Sequence, residues 1–333
     1  MQILVALLPV VIFLIVLIFL DSFKLVHLSL LLLCLLWGVI VAGAAYFINN
    51  GLMGLISSDP EHSVDILSKY IAPVIEETLK MILLLVLIGR GRIGFMIDGA
   101  IYGFAIGCGF ALLENIFYLY QVNSSNILLW MVRGLGTAIM HGGATSVLAI
   151  IVMNAYDRQR RLWLAVLRGW LVALIIHAFY NQFVLPPLVM MAAVLVVVAF
   201  TEIAIFRLNE GSLRHWLQLE FDSEVKLLAM IRKGRFSQSK SGEYLITIKN
   251  RFSQLVVFDM LAYISLYLEL SIKAKGNLML HEAGLPVPKD KTTPARLSEL
   301  QSLEKNIGRT GLLAISPILR TSKKDIWKWS VLK

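Results

Sequence analysis

The chain has 333 residues, 58% hydrophobic and only 16% charged, against about 25% charged in an ordinary soluble domain. That balance excludes a water-soluble globular protein and indicates an integral membrane protein with several spans. The net charge of +9 is confined to the C-terminal third: residues 1–206 hold 10 Lys/Arg and 10 Asp/Glu, and residues 207–333 hold 21 and 12.

Seven stretches reach the roughly 20 apolar residues that a span needs: 2–20, 25–49, 70–89, 97–120, 127–155, 162–184 and 187–206. The expected fold is an all-α polytopic bundle of about seven transmembrane helices, a multi-pass cell-membrane protein. The first run lacks a basic leader and a small-residue cleavage site, and reads as a retained span rather than a signal peptide. Loops 1, 3 and 5 carry Lys24, then Arg90 and Arg92, then Arg158, Arg160 and Arg161, whereas the even-numbered loops hold only Lys69. By the positive-inside rule the N-terminus is expected outside and the C-terminus inside. Cys34 and Cys108 lie in apolar runs and suggest neither a disulfide framework nor a zinc site.

Two domains are expected, a membrane domain over 1–206 and a basic cytoplasmic domain over 207–333. The second opens with the amphipathic "SLRHWLQLEFDSEVKLLAMIRKGRF". "GEYLITIKN" reads as a short strand and "GLPVPKDKTTPARL" as a loop. "LVVFDMLAYISLYLELSIKAK" is apolar enough for an eighth span, but Asp259 and Glu269 favour a cytoplasmic helix. The positive charge suits anionic lipid headgroups or a plain solvated surface, and no nucleic-acid motif is present.

Charged groups inside spans are costly and usually functional. Glu76 and Glu77 lie about six residues below the outer end of span 3, Glu114 about six below that of span 4, and His177 about seven below that of span 6. At 1.5 Å per residue these depths are all roughly 9–11 Å. Asn181 lies nearer the surface, and His141 on span 5 counts as deeper. Residues four apart share a helix face, which pairs Glu76 with Lys80, Glu114 with Tyr118, His141 with Thr145 and His177 with Asn181. Gly99, Gly103 and Gly107 form a small-residue stripe on span 4 that lets a neighbouring helix approach. Arg133 balances one of the glutamates; Asp98 and Glu202 fall at inner helix ends and read as interfacial.

"EETLK" at Glu76–Lys80, "FALLE" ending at Glu114, "HGGAT" at His141 and "HAFYN" at His177–Asn181 follow one another on successive spans. In order and spacing they resemble the PrsW family of glutamic-type intramembrane endopeptidases, related to the CAAX prenyl endopeptidases. The resemblance covers about residues 70–185. It implies hydrolysis of a peptide bond in a membrane-anchored protein on the outer side, of anti-sigma-factor type. It also implies a catalytic pair Glu76 and Glu77, with Glu114, His141, His177 and Asn181 around it and no cofactor. Lys80, Tyr118 and Thr145 would support the site. In that reading Glu76 is the general base, and His177 and Asn181 donate to the oxyanion. Two His and a Glu are also a zinc ligand set, so a zinc-dependent hydrolase stays open, as do a proton pathway and a catalytically silent scaffold.

Overall fold

An apolar run in a bilayer must satisfy its backbone N–H and C=O groups within the segment, so it becomes a helix. The computed structural model describes residues 1–21, 26–56, 59–122, 124–158, 160–288, 290–319, 328–329 and 332, and among these every regular element is helical. In chain order they are α1 (Gln2–Leu20), α2 (Leu28–Ile56), α3 (Pro60–Ile66), α4 (Ala72–Gly89), α5 (Met96–Gln121), α6 (Ile127–Met131) and α7 (Ala138–Asp157). There follow α8 (Leu162–Asn181), α9 (Pro187–Arg232), α10 (Lys240–Ile248), α11 (Gln254–Glu282) and α12 (Thr293–Leu319). Wide π-helical turns lead into two of them, Leu67–Ile71 into α4 and Val132–Thr137 into α7. Lys24, used above for orientation, lies outside the described residues.

The chain divides into two compact units, the first reaching Asn209 and the second beginning at Glu210, apart from a short loop outside the described residues. Seven helices are long and apolar enough to cross a membrane by length and composition: α1, α2, α5, the α6–α7 stretch, α8, Pro187–Leu208 of α9, and α11. That set differs from the expected one by one exchange. The 18-residue α4 carries Glu76, Glu77 and Lys80 and is too charged to qualify, whereas α11 does qualify. The chain is a multi-pass membrane protein.

α5 is the centre of the first unit, and every residue from Ile97 to Ala111 is buried. Its glycines explain why. A Cβ on Gly107 would stand 2.2 Å from the His141 carbonyl oxygen, so α7 can lie this close only against a residue without a side chain. On the other face Gly109 meets the α2 backbone, where a Cβ would stand 2.0 Å from the Leu35 oxygen. α5 is thus clamped between α2 and α7, while α8 packs on α7 and α4. Leu84, Ile101, Phe104, Leu148 and Val152 fill the space between.

Two residues expected at the membrane interface are buried instead, Asp98 at 5% exposure and Glu202 at 1%. Asp98 Oδ2 accepts from the backbone N–H of Gly94 and Phe95, so it closes the start of α5. Glu202 is not at a helix end, because α9 continues past the expected span end at 206 to Arg232.

In the second unit, "GEYLITIKN" is helical, not a strand. Ser239 accepts from the Gly242 N–H and caps α10, and the helix buries Gly242 and Leu245. The loop expected over 284–297 ends where α12 begins at Thr293, with Pro294 in the first turn. α11 lays Met260, Ile264, Leu268 and Leu270 into a core shared with Leu300, Ile307 and Ile315 of α12. The same buried face carries Lys275, which is ion-paired with Glu220 at 2.7 Å and Glu224 at 2.9 Å.

Candidate active site

α4 enters the first unit through its wide turn, with Pro73 in its opening turn. Glu76 and Glu77 follow one after the other and point to different partners. Glu77 is fully buried; its Oε1 lies 2.8 Å from Lys80 Nζ and 2.8 Å from His177 Nδ1. The ion pair on α4 is therefore between residues three apart, not the expected Glu76–Lys80 pair. Lys80 also reaches His141 Nδ1 at 2.8 Å and lies 4.1 Å from the centre of the Phe110 ring.

These contacts fix the ring protons. An ammonium has no acceptor, so Nδ1 of His141 accepts from Lys80, and Nε2 carries the proton toward Glu114 Oε2 at 3.2 Å. His177 donates Nδ1–H to Glu77, which turns its Nε2 to Glu76 Oε2 at 3.8 Å. The two imidazoles stand edge to face, 4.6 Å between centres. His141, counted as deeper than the rest, joins the same cluster because it reaches Lys80, one turn below Glu76.

Glu114 has a second neighbour in Arg133, whose Nη2 forms an ion pair with it at 3.2 Å. Arg133 is held on three sides: by Glu114, by a hydrogen bond from Nε to Asn115 Oδ1 of 3.1 Å, and by the Tyr118 ring 3.4 Å from its Cζ. Asn115 Nδ2 in turn donates to the Ala6 carbonyl at 2.8 Å, which ties the arrangement to α1.

Three carboxylates and two permanent cations meet here. Lys80 serves Glu77 and Arg133 serves Glu114. Among the described residues, no Lys or Arg lies within ion-pair distance of Glu76. Its Oε2 is buried with no hydrogen-bond partner, and Oε1 meets only Asn49 Nδ2 at 3.5 Å. A buried carboxylate in that position calls for a proton or a cation. Glu76, His141 and His177 each offer one ligand atom, all within 4.8 Å of one another.

These groups line a cavity of about 540 Å³. Glu76, Glu114, Tyr118, Arg133, His141, His177 and Asn181 are on its wall, while Glu77 and Lys80 stand behind it. The cavity opens past Asn50, Ser68, Gln121 and Phe183, at the end of the bundle where α2, α5 and α8 finish and α4 and α7 begin. Asn181 is at this mouth and donates to the Ser68 carbonyl at 2.9 Å. Thr145 is not brought in: its hydroxyl donates to the His141 carbonyl of its own helix at 3.1 Å.

Asn49 and Arg133 are wall residues that the motifs do not contain. For Asn49 the available signal was the polar pair Asn49–Asn50 at the end of an otherwise apolar run; α2 continues to Ile56, which brings Asn49 level with Glu76. Arg133 was visible as a charge, but its seat on Tyr118 and Asn115 was not.

Comparison with protein families matches residues 26–205 to the family described as PrsW family intramembrane metalloprotease. No curated protein and no solved structure matches the chain. The matched region contains every wall residue named above, and the chain belongs to the PrsW family: it is an intramembrane peptidase.

Proposed function

We propose that the cavity is the peptidase centre and that Glu76 is the carboxylate that activates the attacking water. The observation that carries this reading is the contrast between adjacent residues: Glu77 stands behind the wall with its Oε1 bound to Lys80 and His177, whereas Glu76 lines the cavity with a buried Oε2 that has no hydrogen-bond partner. Water oxygen adds to the scissile carbonyl carbon as its proton passes to Glu76. The C–N bond then breaks, and the proton returns to the leaving nitrogen with Glu114 and His141 alongside. Lys80 and Glu77 hold the two imidazoles in place through their Nδ1 atoms. The substrate in this reading is a membrane-anchored protein of the anti-sigma-factor kind. The basic odd-numbered loops support an outside N-terminus, and the mouth then faces the extracytoplasmic side. The second unit, carrying the surplus of positive charge, suits anionic lipid headgroups.

A second reading is favoured by the donor set and by the family's description as metalloproteases. Glu76, His141 and His177 hold ligand atoms within 4.8 Å of one another, with one carboxylate oxygen of Glu76 lacking a hydrogen-bond partner and His177 oriented by Glu77 from behind; His141 would join through Nε2 once that nitrogen has passed its proton to Glu114. Such an ion would supply Lewis-acid activation of water. Glu76 would then be a ligand, and Glu114 the carboxylate left to handle the proton.

Cleavage of a single-span reporter by purified protein in detergent tests both. Glu76→Gln should abolish it; undiminished cleavage would overturn the assignment. Inhibition by a chelator, restored by zinc, selects the second reading, and indifference to the chelator selects the first.

A further inference from the structure

We propose that Asn49 and Arg133 form a clamp for the peptide unit being cut, Asn49 Oδ1 accepting its N–H and Arg133 Nη2 donating to its C=O. The inference rests on the cavity being the peptidase centre, and it names two groups that the motifs of α4, α5, α7 and α8 do not contain.

Three buried polar atoms on the cavity wall have no hydrogen-bond partner among the described residues: Glu76 Oε2, Asn49 Oδ1 and Arg133 Nη2. Nη2 ion-pairs with Glu114 at 3.2 Å, but its N–H bonds do not line up on that oxygen. Leaving a buried polar group unmet is unfavourable, so the three atoms together describe what belongs in the cavity. They are one acceptor, one cationic donor and one carboxylate oxygen. A peptide unit offers the complement of the first two, an N–H and a C=O that point in opposite directions across a planar trans amide.

The walls are placed for this. Asn49 is on α2 and Arg133 is in the wide turn before α7, and α2 and α7 lie on opposite sides of α5. Asn49 spends its own N–H on Glu76 Oε1, which orients Oδ1 beside the attacking carboxylate. Arg133 cannot swing away, since Tyr118 and Asn115 hold it. The alternative oxyanion donors are engaged elsewhere: His177 Nδ1–H on Glu77, and Asn181 on Ser68. A clamp of this kind takes a peptide unit whose N–H and C=O are free, so the substrate is cut in an extended segment and not in an intact helix.

The test compares an amide reporter with one whose scissile bond is an ester, which keeps the C=O and lacks the N–H. Asn49→Ala and the near-isosteric Asn49→Leu should each slow amide cleavage about tenfold more than ester cleavage, since any loss through Glu76 is common to both substrates. Arg133→Lys, which keeps the charge near Glu114, should lower kcat on both substrates alike. Equal losses on amide and ester for both Asn49 variants would overturn the Asn49 half, and undiminished kcat in Arg133→Lys the Arg133 half. Glu76→Gln is run in parallel: if it still cleaves both reporters, the reading of the cavity has failed and not the clamp alone.

Discussion

Glu77 and Lys80, three residues apart on α4, form an ion pair of 2.8 Å in which both side chains are wholly buried. The pair explains how a membrane helix tolerates its charges: the lysine neutralises the inner glutamate and leaves Glu76 free for the cavity. Glu77→Gln or Glu77→Ala should therefore destabilise the first unit by about 3 kcal/mol, because a buried ammonium loses its counter-charge. Glu76→Gln should leave stability unchanged or raise it. Thermal unfolding of the two variants in detergent separates these roles, and equal melting points would contradict the division.

The seat of His141 depends on the absence of a side chain at Gly107, where a Cβ would meet the His141 carbonyl oxygen at 2.2 Å. Gly107→Ala should force α5 from α7, costing about 1–3 kcal/mol. It should also widen the His141–Glu114 contact and lower cleavage. Gly51, where a Cβ meets nothing within 4 Å, is the control position. If Gly107→Ala and Gly51→Ala behave alike, the close approach is not what positions the histidine.

Tyr118 supports Arg133 from below, with the guanidinium carbon 3.4 Å from the ring centre. Tyr118→Phe keeps that aromatic face and should keep activity. Tyr118→Leu removes about 1 kcal/mol of cation–π attraction, and should lower kcat about fivefold with KM little changed. A KM effect alone would make Tyr118 a contact for substrate rather than a support for the arginine.

In the second unit Lys275 is sealed between Glu220 and Glu224. Lys275→Ala leaves those carboxylates facing a cavity and should lower the stability of that unit by about 3 kcal/mol. Lys275→Met, which fills the space but not the charge, tests whether volume or pairing matters more. Unfolding followed through Trp329, which packs on Tyr267 in the same core, reports on this unit.

The sequence displayed the helices and most of the cavity wall because both rest on periodic or costly features. Apolar runs of sufficient length have one solution in a bilayer, and Glu76, Glu114, His141 and His177 stand out against them. It did not display which glutamate Lys80 would choose, since positions three and four residues away share its face. Asn49 was hidden because an amide at the end of an apolar run is common and its partner is on another helix. The alternation in "GEYLITIKN" suggested a strand, but the Ser239 cap decided for a helix. Asp98 and Glu202 read as peripheral because span ends usually meet the surface, whereas both are buried in the structure.

The wide turns at Leu67–Ile71 and Val132–Thr137 each stand one step upstream of a helix that carries the site. Each fits about one residue more into a full revolution than a regular turn does, so the extra residue is absorbed there and the helix behind it keeps its phase. A residue lost from either turn would therefore convert it to a regular turn and leave Glu76 or His141 facing the centre. The two turns are thus the places in these helices where the chain can change length without moving the site.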